Sequence, residues 1–423
     1  MAKQKKGKRG RTNAKPGSTT DVPIILKRFL KTYENHCAEV QSIVSPTIKQ
    51  NIQLCIENER IMTKIMLTFP EDSLGETIPK SVQPLLMTIR DERYMLGKEL
   101  CIWNVVLNNQ DIADLYPTHA CLTTSTTQRN WVPKFPCPVS IILEKRGRTY
   151  YPFSHLELLD CGIDAWSLER LGKAVNFSSL TSLNLDYNEF GEEGVRGLLN
   201  ALEGNNHVVS LSLCYCKLGP GSGSLLAALV TKSAIRDLYV NGNELQSEGA
   251  IALVTEMAEY AENMASAKQS QHVEELGRQS YSAPSRLETR TGSAMKKKKK
   301  KKGKKRKIAK PPEIGPWLEK LHLADNAIDG CGKAGITSPL KFTHVLCQLI
   351  RFSDHLTELD LDDNGIGELC GKLVLDALKE RKEAKLACLK VKVTSQMSAD
   401  TFASILKNTK KLASKKKRKK KKK

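Results

Sequence analysis

One eleven-position pattern recurs along this chain of 423 residues and limits its fold more than any other feature. Apolar residues occupy positions one, four, six and eleven of the pattern, and Asn or Cys occupies position nine. The six copies have these residues at position four: Leu156, Leu183, Leu211, Leu238, Leu321 and Leu359. Apolar residues at positions four and six predict a short strand with one buried face. Repetition at a fixed period predicts stacked units that share one core.

The spacing of the copies predicts a helix after each strand. The first four copies stand 27, 28 and 27 residues apart, which leaves room for a helix in every repeat. Segments 192–203, 222–230 and 247–258 place their apolar residues at helical intervals. Each repeat is therefore predicted to be one strand, one turn and one helix.

Position nine has a predicted structural role. The side-chain amide of a residue such as Asn188 can satisfy backbone groups that would otherwise be buried unpaired in the turn. Cys161 and Cys216 stand at the same position, where Cys commonly replaces Asn. Both cysteines are therefore expected to be structural.

The segments Leu183–Asn188 and Leu359–Asn364 resemble the ribonuclease-inhibitor-like subfamily of leucine-rich-repeat proteins, as do the Glu-Gly pairs that begin two helices. The resemblance covers about residues 153–395. It implies an α/β leucine-rich-repeat solenoid shaped like a horseshoe, with a parallel β-sheet inside and helices outside. It also implies a function, because members bind proteins on the concave sheet. They include ribonuclease inhibitors, a GTPase-activating protein of the Ran system, and ciliary scaffolds with a lysine-rich insertion.

Composition divides the chain into six predicted parts. They are a disordered basic tail (1–20), a helical N-terminal region with a capping, degenerate repeat (21–150), repeats (151–258), a disordered lysine-rich insertion (259–313), repeats with a C-terminal cap (314–412), and a basic tail (413–423). The insertion is inferred from the gap of 83 residues between Leu238 and Leu321, together with its low hydrophobicity and like charge. In the N-terminal region, apolar spacing predicts helices over about 22–68, including Ile65, with a break at Ser45-Pro46.

The positive charge is concentrated in three tracts that contain no Asp or Glu. Residues 1–15, 296–310 and 415–423 hold seven, twelve and nine Lys/Arg, and removing these 28 charges from the formal +21 leaves −7. The candidate anion-binding or targeting residues are Lys296, Lys297, Lys304, Lys305, Arg306, Lys307, Lys415, Lys416, Lys417 and Arg418. Such tracts serve as targeting signals or contact anionic polymers, either RNA or acidic protein tails.

Other sequence signals bear on compartment and cofactors. The twelve cysteines show no zinc spacing, so neither a metal nor another cofactor is predicted. Residues 1–15 are polar and basic, and no run is long enough to cross a bilayer. The expected location is therefore intracellular: the cytoplasm, the nucleus or nucleolus, or a cilium.

Strand alternation identifies the side chains expected on the concave face. The predicted contact residues are Glu157, Asn184, Asp186, Tyr187, Ser212, Tyr215, Tyr239, His322, Asp325, Asp360, Asp362 and Asp363. Tyrosines provide rigid amphipathic contact area, and aspartates suit a partner with basic groups. The sequence therefore predicts a protein-binding surface here.

These features together predict a non-enzymatic scaffold that holds a protein partner. An acid–base pair of His322 and Asp360 lacks an accompanying nucleophile, and Gly219–Ser224 lacks the Lys-Ser/Thr ending of a phosphate loop. Three alternatives stay open: a regulator of a small GTPase, a nucleolar RNA-associated protein, and a ciliary or axonemal structural protein. The first requires a catalytically placed arginine, for which Arg236 is the candidate.

Overall fold

A computed structural model describes residues 22–69, 79–113, 137–144, 151–279, 313–333 and 335–408. The chain forms two compact units. The first comprises the residues up to 163 together with 177–179, and the second comprises 164–176 and the residues from 180 onward. Each unit is described by itself.

The first unit combines helices with a three-stranded parallel sheet. Its elements are α1 (Val22–Glu39), α2 (Pro46–Glu57), β1 (Lys64–Leu67), α3 (Gln83–Asp91), β2 (Glu99–Trp103), α4 (Asn109–Ile112), α5 (Val139–Leu143) and β3 (His155–Leu159). The strands pair in chain order, with Ile65 opposite Leu100 and Leu100 opposite Leu156. The break predicted at Ser45-Pro46 is confirmed, because Ser45 caps α2 by accepting a hydrogen bond from the backbone N–H of Ile48.

The predicted helix over 22–68 is wrong at its end. Residues 64–67 form strand β1, in which Ile65 and Leu67 are buried and alternate with half-buried residues. Apolar residues four apart suit a helix, but pairing with β2 satisfies this backbone and buries both side chains. Tertiary pairing therefore decided the conformation here.

The second unit alternates strands and helices throughout. Its elements are α6 (Ala165–Asn176), β4 (Ser182–Asn184), α7 (Gly191–Leu202), β5 (Ser210–Ser212), α8 (Ser222–Thr231), β6 (Asp237–Tyr239), α9 (Gln246–Gln279), β7 (Lys320–His322), α10 (Ser338–Phe352), β8 (Glu358–Leu361), α11 (Glu368–Glu383) and β9 (Lys390–Val393). The six strands pair in parallel and in chain order. The predicted α/β repeat solenoid is confirmed.

The repeat pattern is the cause of this order. The position-four leucines lie opposite one another in the register, and each is fully buried. At position nine, the Asn243 amide donates to the carbonyls of Leu213 (2.9 Å) and Val240 (2.8 Å). Its oxygen accepts from the backbone N–H groups of Cys216 (2.9 Å) and Leu218 (3.1 Å). The side chain thus satisfies its own turn, as the sequence predicts, and it also joins that turn to the preceding repeat, which the sequence analysis did not predict.

Helix α9 is longer than the sequence analysis expects. The predicted insertion begins at residue 259, but α9 continues to Gln279. Ala261 is buried, and Lys268 forms an ion pair of 2.6 Å with Asp354, so the added turns pack against later repeats. The rest of the predicted insertion, residues 280–312, lies outside the described residues, as do 1–20 and 413–423.

Strand β7 pairs directly with β6, although Leu238 and Leu321 are 83 residues apart. The backbone ladder therefore continues across the long interruption in the repeat pattern. Within the described part of the chain, no helix has both the length and the apolar character needed to cross a membrane.

Candidate protein-binding surface

The sheet of the second unit has one face turned away from the leucine core, called here the open face. The residue between the two strand leucines lies on this face in each repeat, because side chains alternate along a strand. In chain order these residues are Asn184, Ser212, Tyr239, His322, Asp360 and Lys392. Glu157 belongs to the first unit and is considered separately.

Charges on strands β6 to β9 are paired with one another. Lys320 on β7 contacts Asp237 at 2.5 Å, and across β8 and β9 Lys390 contacts Glu358 and Lys392 contacts Asp360, both at 2.6 Å. The hydrogen bonds to Asp237 and Asp360 raise the pKa values of Lys320 and Lys392. Opposite charges on adjacent strands stabilise the sheet and cancel each other's field. This part of the open face therefore presents little net charge to a partner.

Asp360 is less accessible than predicted. Its side chain points to the open face, but the residue is only 3% exposed because Lys392 and His322 cover it. His322 is half-buried and packs edge-on against Tyr239, with ring centroids 4.6 Å apart. Burial lowers the pKa of His322, although Asp360 and Glu358 act in the opposite direction. The His322–Asp360 distance of 3.7 Å is too long for a hydrogen bond.

Strands β4 and β5 present uncharged side chains on the same face. Asp186 follows β4, and its carboxylate accepts hydrogen bonds of 2.7 Å from Ser212 Oγ and from the backbone N–H of Cys214. Burial raises the pKa of Asp186, although these hydrogen bonds oppose the shift. Asp186 therefore links two repeats instead of offering a free carboxylate. Asp362 resembles it, since it accepts from Thr394 Oγ1 at 3.1 Å.

Position eight of the pattern adopts a left-handed backbone in every repeat from β4 to β8. The φ angles are 63° at Tyr187, 55° at Tyr215, 65° at Gly242, 52° at Asp325 and 51° at Asp363. The first four of these residues each donate a backbone hydrogen bond of 2.8–2.9 Å to a carbonyl of the next repeat. These five residues form what is called here the ridge, at intervals of about 4.8 Å.

Two tyrosines stand exposed at the N-terminal end of the ridge. The rings of Tyr187 and Tyr215 are stacked, with centroids 4.8 Å apart and planes 4° from parallel. Their residues remain 53% and 43% exposed. A Cβ atom on Gly242 would lie 2.1 Å from Cε1 of Tyr215, so only glycine leaves room for that ring. The sequence analysis missed the role of Gly242, although a glycine at position eight was a visible signal.

The other end of the ridge is acidic. Asp325 and Asp363 are both exposed. Partial burial raises the pKa of Tyr215, and the negative charge of Asp325 adds to this shift, as does that of Asp363. The electrostatic effect of the aspartates thus reaches the aromatic end.

Glu157 lies in a separate polar cluster on β3 of the first unit. It accepts hydrogen bonds from Trp103 Nε1 at 3.0 Å and pairs with His155 Nε2 at 2.7 Å. Burial alone would raise the pKa of Glu157, but the hydrogen bonds from His155, Cys101 and Trp103 lower it overall. These contacts engage the carboxylate within its own sheet.

Other candidates from the sequence have structural roles. Gly223 belongs to the segment 219–224 that was compared with a phosphate loop, and it lies in the first turn of α8. A Cβ atom on Gly223 would be 2.1 Å from the carbonyl oxygen of Gly249, so glycine permits close packing of α8 on α9. Arg236 pairs with Glu319 at 3.1 Å. Among the described residues, no group of three or more His, Cys, Asp or Glu is arranged for a metal ion. The ten candidate Lys/Arg residues of the basic tracts lie outside the described residues.

A cavity that the sequence analysis did not anticipate lies among the middle of α9 and the C-terminal ends of α10 and α11. Its volume is about 350 Å³, and three of its lining residues, Tyr260, Trp317 and His355, pack edge-to-face. Its carboxylates are already paired, Asp354 with Lys268 and Glu380 with Arg351. The cavity is lined by none of the residues predicted for the concave face.

Comparison with known proteins supports the repeat assignment. A family model described as Leucine Rich repeat matches residues 178–199, 234–254 and 353–368. The chain is also similar to the human NACHT, LRR and PYD domains-containing protein 13, with 25% identity over 221 residues. That similarity covers 49% of this chain and 20% of the human protein, so the chain matches only about a fifth of its relative.

Proposed function

Because this chain is a leucine-rich-repeat protein, we propose that it is a non-enzymatic scaffold that binds a protein partner on the open face of the second unit. The polybasic tracts would set its location or tether it to an anionic polymer. The proposal places the partner over the ridge and the neighbouring strand residues Asn184 and Ser212.

The observation that carries this proposal is the exposed stack of Tyr187 and Tyr215. Tyrosine is enriched among the residues that dominate binding energy, because it buries a large area and loses few rotamers. The backbone ladder holds both residues in equivalent conformations, so the pair is organised before a partner arrives.

The alternatives draw less support from the described residues. The GTPase-regulator alternative needs a free arginine, and Arg236 is paired with Glu319 at 3.1 Å. The RNA-associated alternative rests on the lysine tracts alone. The ridge does not favour RNA, because Asp325 and Asp363 would repel phosphate groups. The ciliary alternative concerns the location of the protein, and it is compatible with a scaffold function.

Proximity labelling in cells tests the proposal. The full-length chain would be compared with Tyr187→Ala/Tyr215→Ala, with a chain lacking 296–307 and 415–423, and with Leu369→Ala. Leu369 is 61% exposed on α11 and controls for the loss of exposed apolar area away from the ridge. We expect the double tyrosine variant to lose specific protein neighbours. The Leu369→Ala variant should keep them, and the chain without the lysine tracts should also keep them, either in cell extracts or at a changed location in the cell.

The opposite result would favour the RNA-associated alternative. If specific neighbours survive in the tyrosine variant but disappear when the tracts are removed, the lysines carry the function. RNase treatment of the labelled extract would then separate an RNA tether from an acidic protein tail.

A further inference from the structure

One wall of the cavity is formed by a helix that is longer than its repeat requires. The other helices of the second unit have 10 to 16 residues, whereas α9 has 34. Tyr260, Ala261, Met264 and Ala265 line the cavity, and their spacing places them on one face of α9. The two alanines leave a volume of about 350 Å³ unfilled between this face and the C-terminal ends of α10 and α11.

The wall of the cavity is mainly apolar and contains aromatic rings. Met257 and Ala261 are buried. The rings of Tyr260, Trp317 and His355 meet edge to face, with centroids 5.1 Å apart in both pairs. For comparison, an apolar cavity of about 150 Å³ holds benzene. A cavity of about 350 Å³ therefore has room for a molecule with two fused rings.

The charged side chains that line the cavity neutralise one another. Lys268 pairs with Asp354 at 2.6 Å, and Arg351 pairs with Glu380 at 2.8 Å. His355 Nε2 also lies 3.0 Å from Asp354. The hydrogen bond from Lys268 lowers the pKa of Asp354, so this pair is ionised at neutral pH. Both carboxylates among the lining residues therefore already have a cationic partner, and a charged ligand would compete with these ion pairs.

We propose that the cavity binds a small, uncharged and mainly apolar molecule of about the size of two fused aromatic rings. Such a ligand would restore the contacts that the lining atoms lack beside an empty space, without disturbing either ion pair. Its rings would pack on those of Tyr260 and Trp317. The inference is independent of the proposed partner surface, because no residue that lines the cavity belongs to the ridge or the open face.

Binding of the dye PRODAN to the full-length protein tests the inference. PRODAN is an uncharged naphthalene whose emission moves to shorter wavelength when it leaves water. Three competitors then share one ring system and differ in charge: naphthalenemethanol is neutral, naphthoate is an anion and naphthylmethylammonium is a cation. Comparing their power to displace the dye separates recognition of the apolar rings from recognition of a charge.

We expect PRODAN to bind and naphthalenemethanol to displace it at lower concentration than either charged competitor. Ala265→Leu should weaken dye binding about tenfold or more, because the larger side chain occupies the space. Ala267→Leu is the matched control, since Ala267 is exposed on the same helix and does not line the cavity. Its affinity for the dye should equal that of the wild type, as should that of Tyr187→Ala/Tyr215→Ala.

Circular dichroism and thermal unfolding verify that each variant is folded. Filling an empty cavity should raise the unfolding temperature of Ala265→Leu above that of Ala267→Leu. If Ala265→Leu does not fold, Ala261→Val provides the same test with a smaller added volume, and it should also weaken dye binding.

Four results would overturn the inference. They are no binding of PRODAN, equal affinity of the Ala265→Leu and Ala267→Leu variants, displacement by a charged competitor as readily as by the neutral one, and loss of protein neighbours in cells by Ala265→Leu alone. The last result would show that a side chain of a protein partner fills the cavity. None of them bears on the scaffold proposal, which is tested by the tyrosine variant.

Discussion

The open face contains two regions that share a backbone repeat but are stabilised differently. Around β4 and β5, neutral hydrogen bonds and an aromatic stack join the repeats, as in the contact of Asp186 with Ser212. From β6 to β9, lysines and carboxylates on adjacent strands are paired. The same fold can therefore keep one region free for a partner while the other neutralises itself.

The repeats of the charged region also contain a buried cation, Arg381 on α11. Its replacement is expected to change the stability more than any other substitution considered below. Arg381 is 2% exposed, and its guanidinium donates to the carbonyls of Ile350, Ser353, Leu356 and Ala387 at 2.5–2.8 Å. These bonds satisfy the C-terminal end of α10. Burial lowers the pKa of Arg381 to about 10, and the residue remains protonated at neutral pH.

Replacing Arg381 by Met should destabilise the second unit by about 3–5 kcal/mol, because four carbonyl groups lose their donor. Urea unfolding followed by circular dichroism would measure the change. Lys379→Met, on the same helix and 58% exposed, is the control and should change stability by less than about 0.5 kcal/mol. Equal effects of the two variants would show that Arg381 is not a structural cap.

In the neutral region, Asn188→Leu should cost about 1–3 kcal/mol. The Asn188 amide donates to the carbonyls of Leu185 (2.8 Å) and Asp186 (3.2 Å), and leucine would leave these buried groups without that donor. Thermal unfolding of Asn188→Leu beside Asn200→Leu, an exposed position on α7, makes the comparison. The prediction is wrong if both variants unfold at the same temperature.

At the border between the regions, Gly242→Ala should cost about 1–2 kcal/mol. The left-handed φ of 65° accounts for part of the cost, and the contact with Tyr215 accounts for the rest. A double-mutant cycle with Tyr215→Ala separates them, because the second part should vanish when the ring is absent. Additive effects in the cycle would mean that the ring moves aside freely.

The smallest expected effect concerns folding stability, which should depend on pH with opposite signs for Glu358 and Asp186. The pKa of Glu358 is lowered: burial raises it, but the hydrogen bond and charge of Lys390 outweigh burial. Its stabilisation is thus present above the unfolded pKa and lost as pH falls through the folded pKa. The pKa of Asp186 is raised by burial, so the folded state binds its proton more tightly and gains stability as pH falls.

The destabilisation caused by Glu358→Gln should therefore shrink between pH 6 and pH 3, while that caused by Asp186→Asn should grow. Each change should be on the order of 0.5–1 kcal/mol. Urea midpoints of both variants and the wild type across this pH range provide the measurement. If the destabilisation caused by the two substitutions changed with pH in the same direction, the electrostatic distinction between the regions would be wrong.

Much of the fold was predictable because it depends on local pattern. The leucines at position four, the Asn at position nine and the helical spacing between strands led to the strands and helices of the second unit. Strand β1 was missed because Ile65 also fits a helical period, and the end of α9 was missed because residues after 258 are polar. In both places a partner element, β2 or the repeat containing Asp354, determined the conformation.

The candidate surface was predictable to a lesser degree. The repeat pattern predicted that Tyr187, Tyr215 and Asp325 form one column of side chains, but the availability of a side chain depends on its neighbours. Asp360 lies under Lys392, and Asp186 is held by the next repeat, whereas Asp325 is free of ion pairs among the described residues. These differences arise between residues 26 to 32 positions apart, such as Asp186 and Ser212 or Asp360 and Lys392.

The sequence by itself determined the repeat, because a strand with two buried leucines and a turn closed by one amide are properties of about ten consecutive residues. Only the tertiary structure decided which acids are neutralised, where the Tyr215 ring rests, and that Arg381 is a buried cap. Those outcomes depend on contacts between successive repeats, and stacking sets the distance and orientation of such contacts in three dimensions.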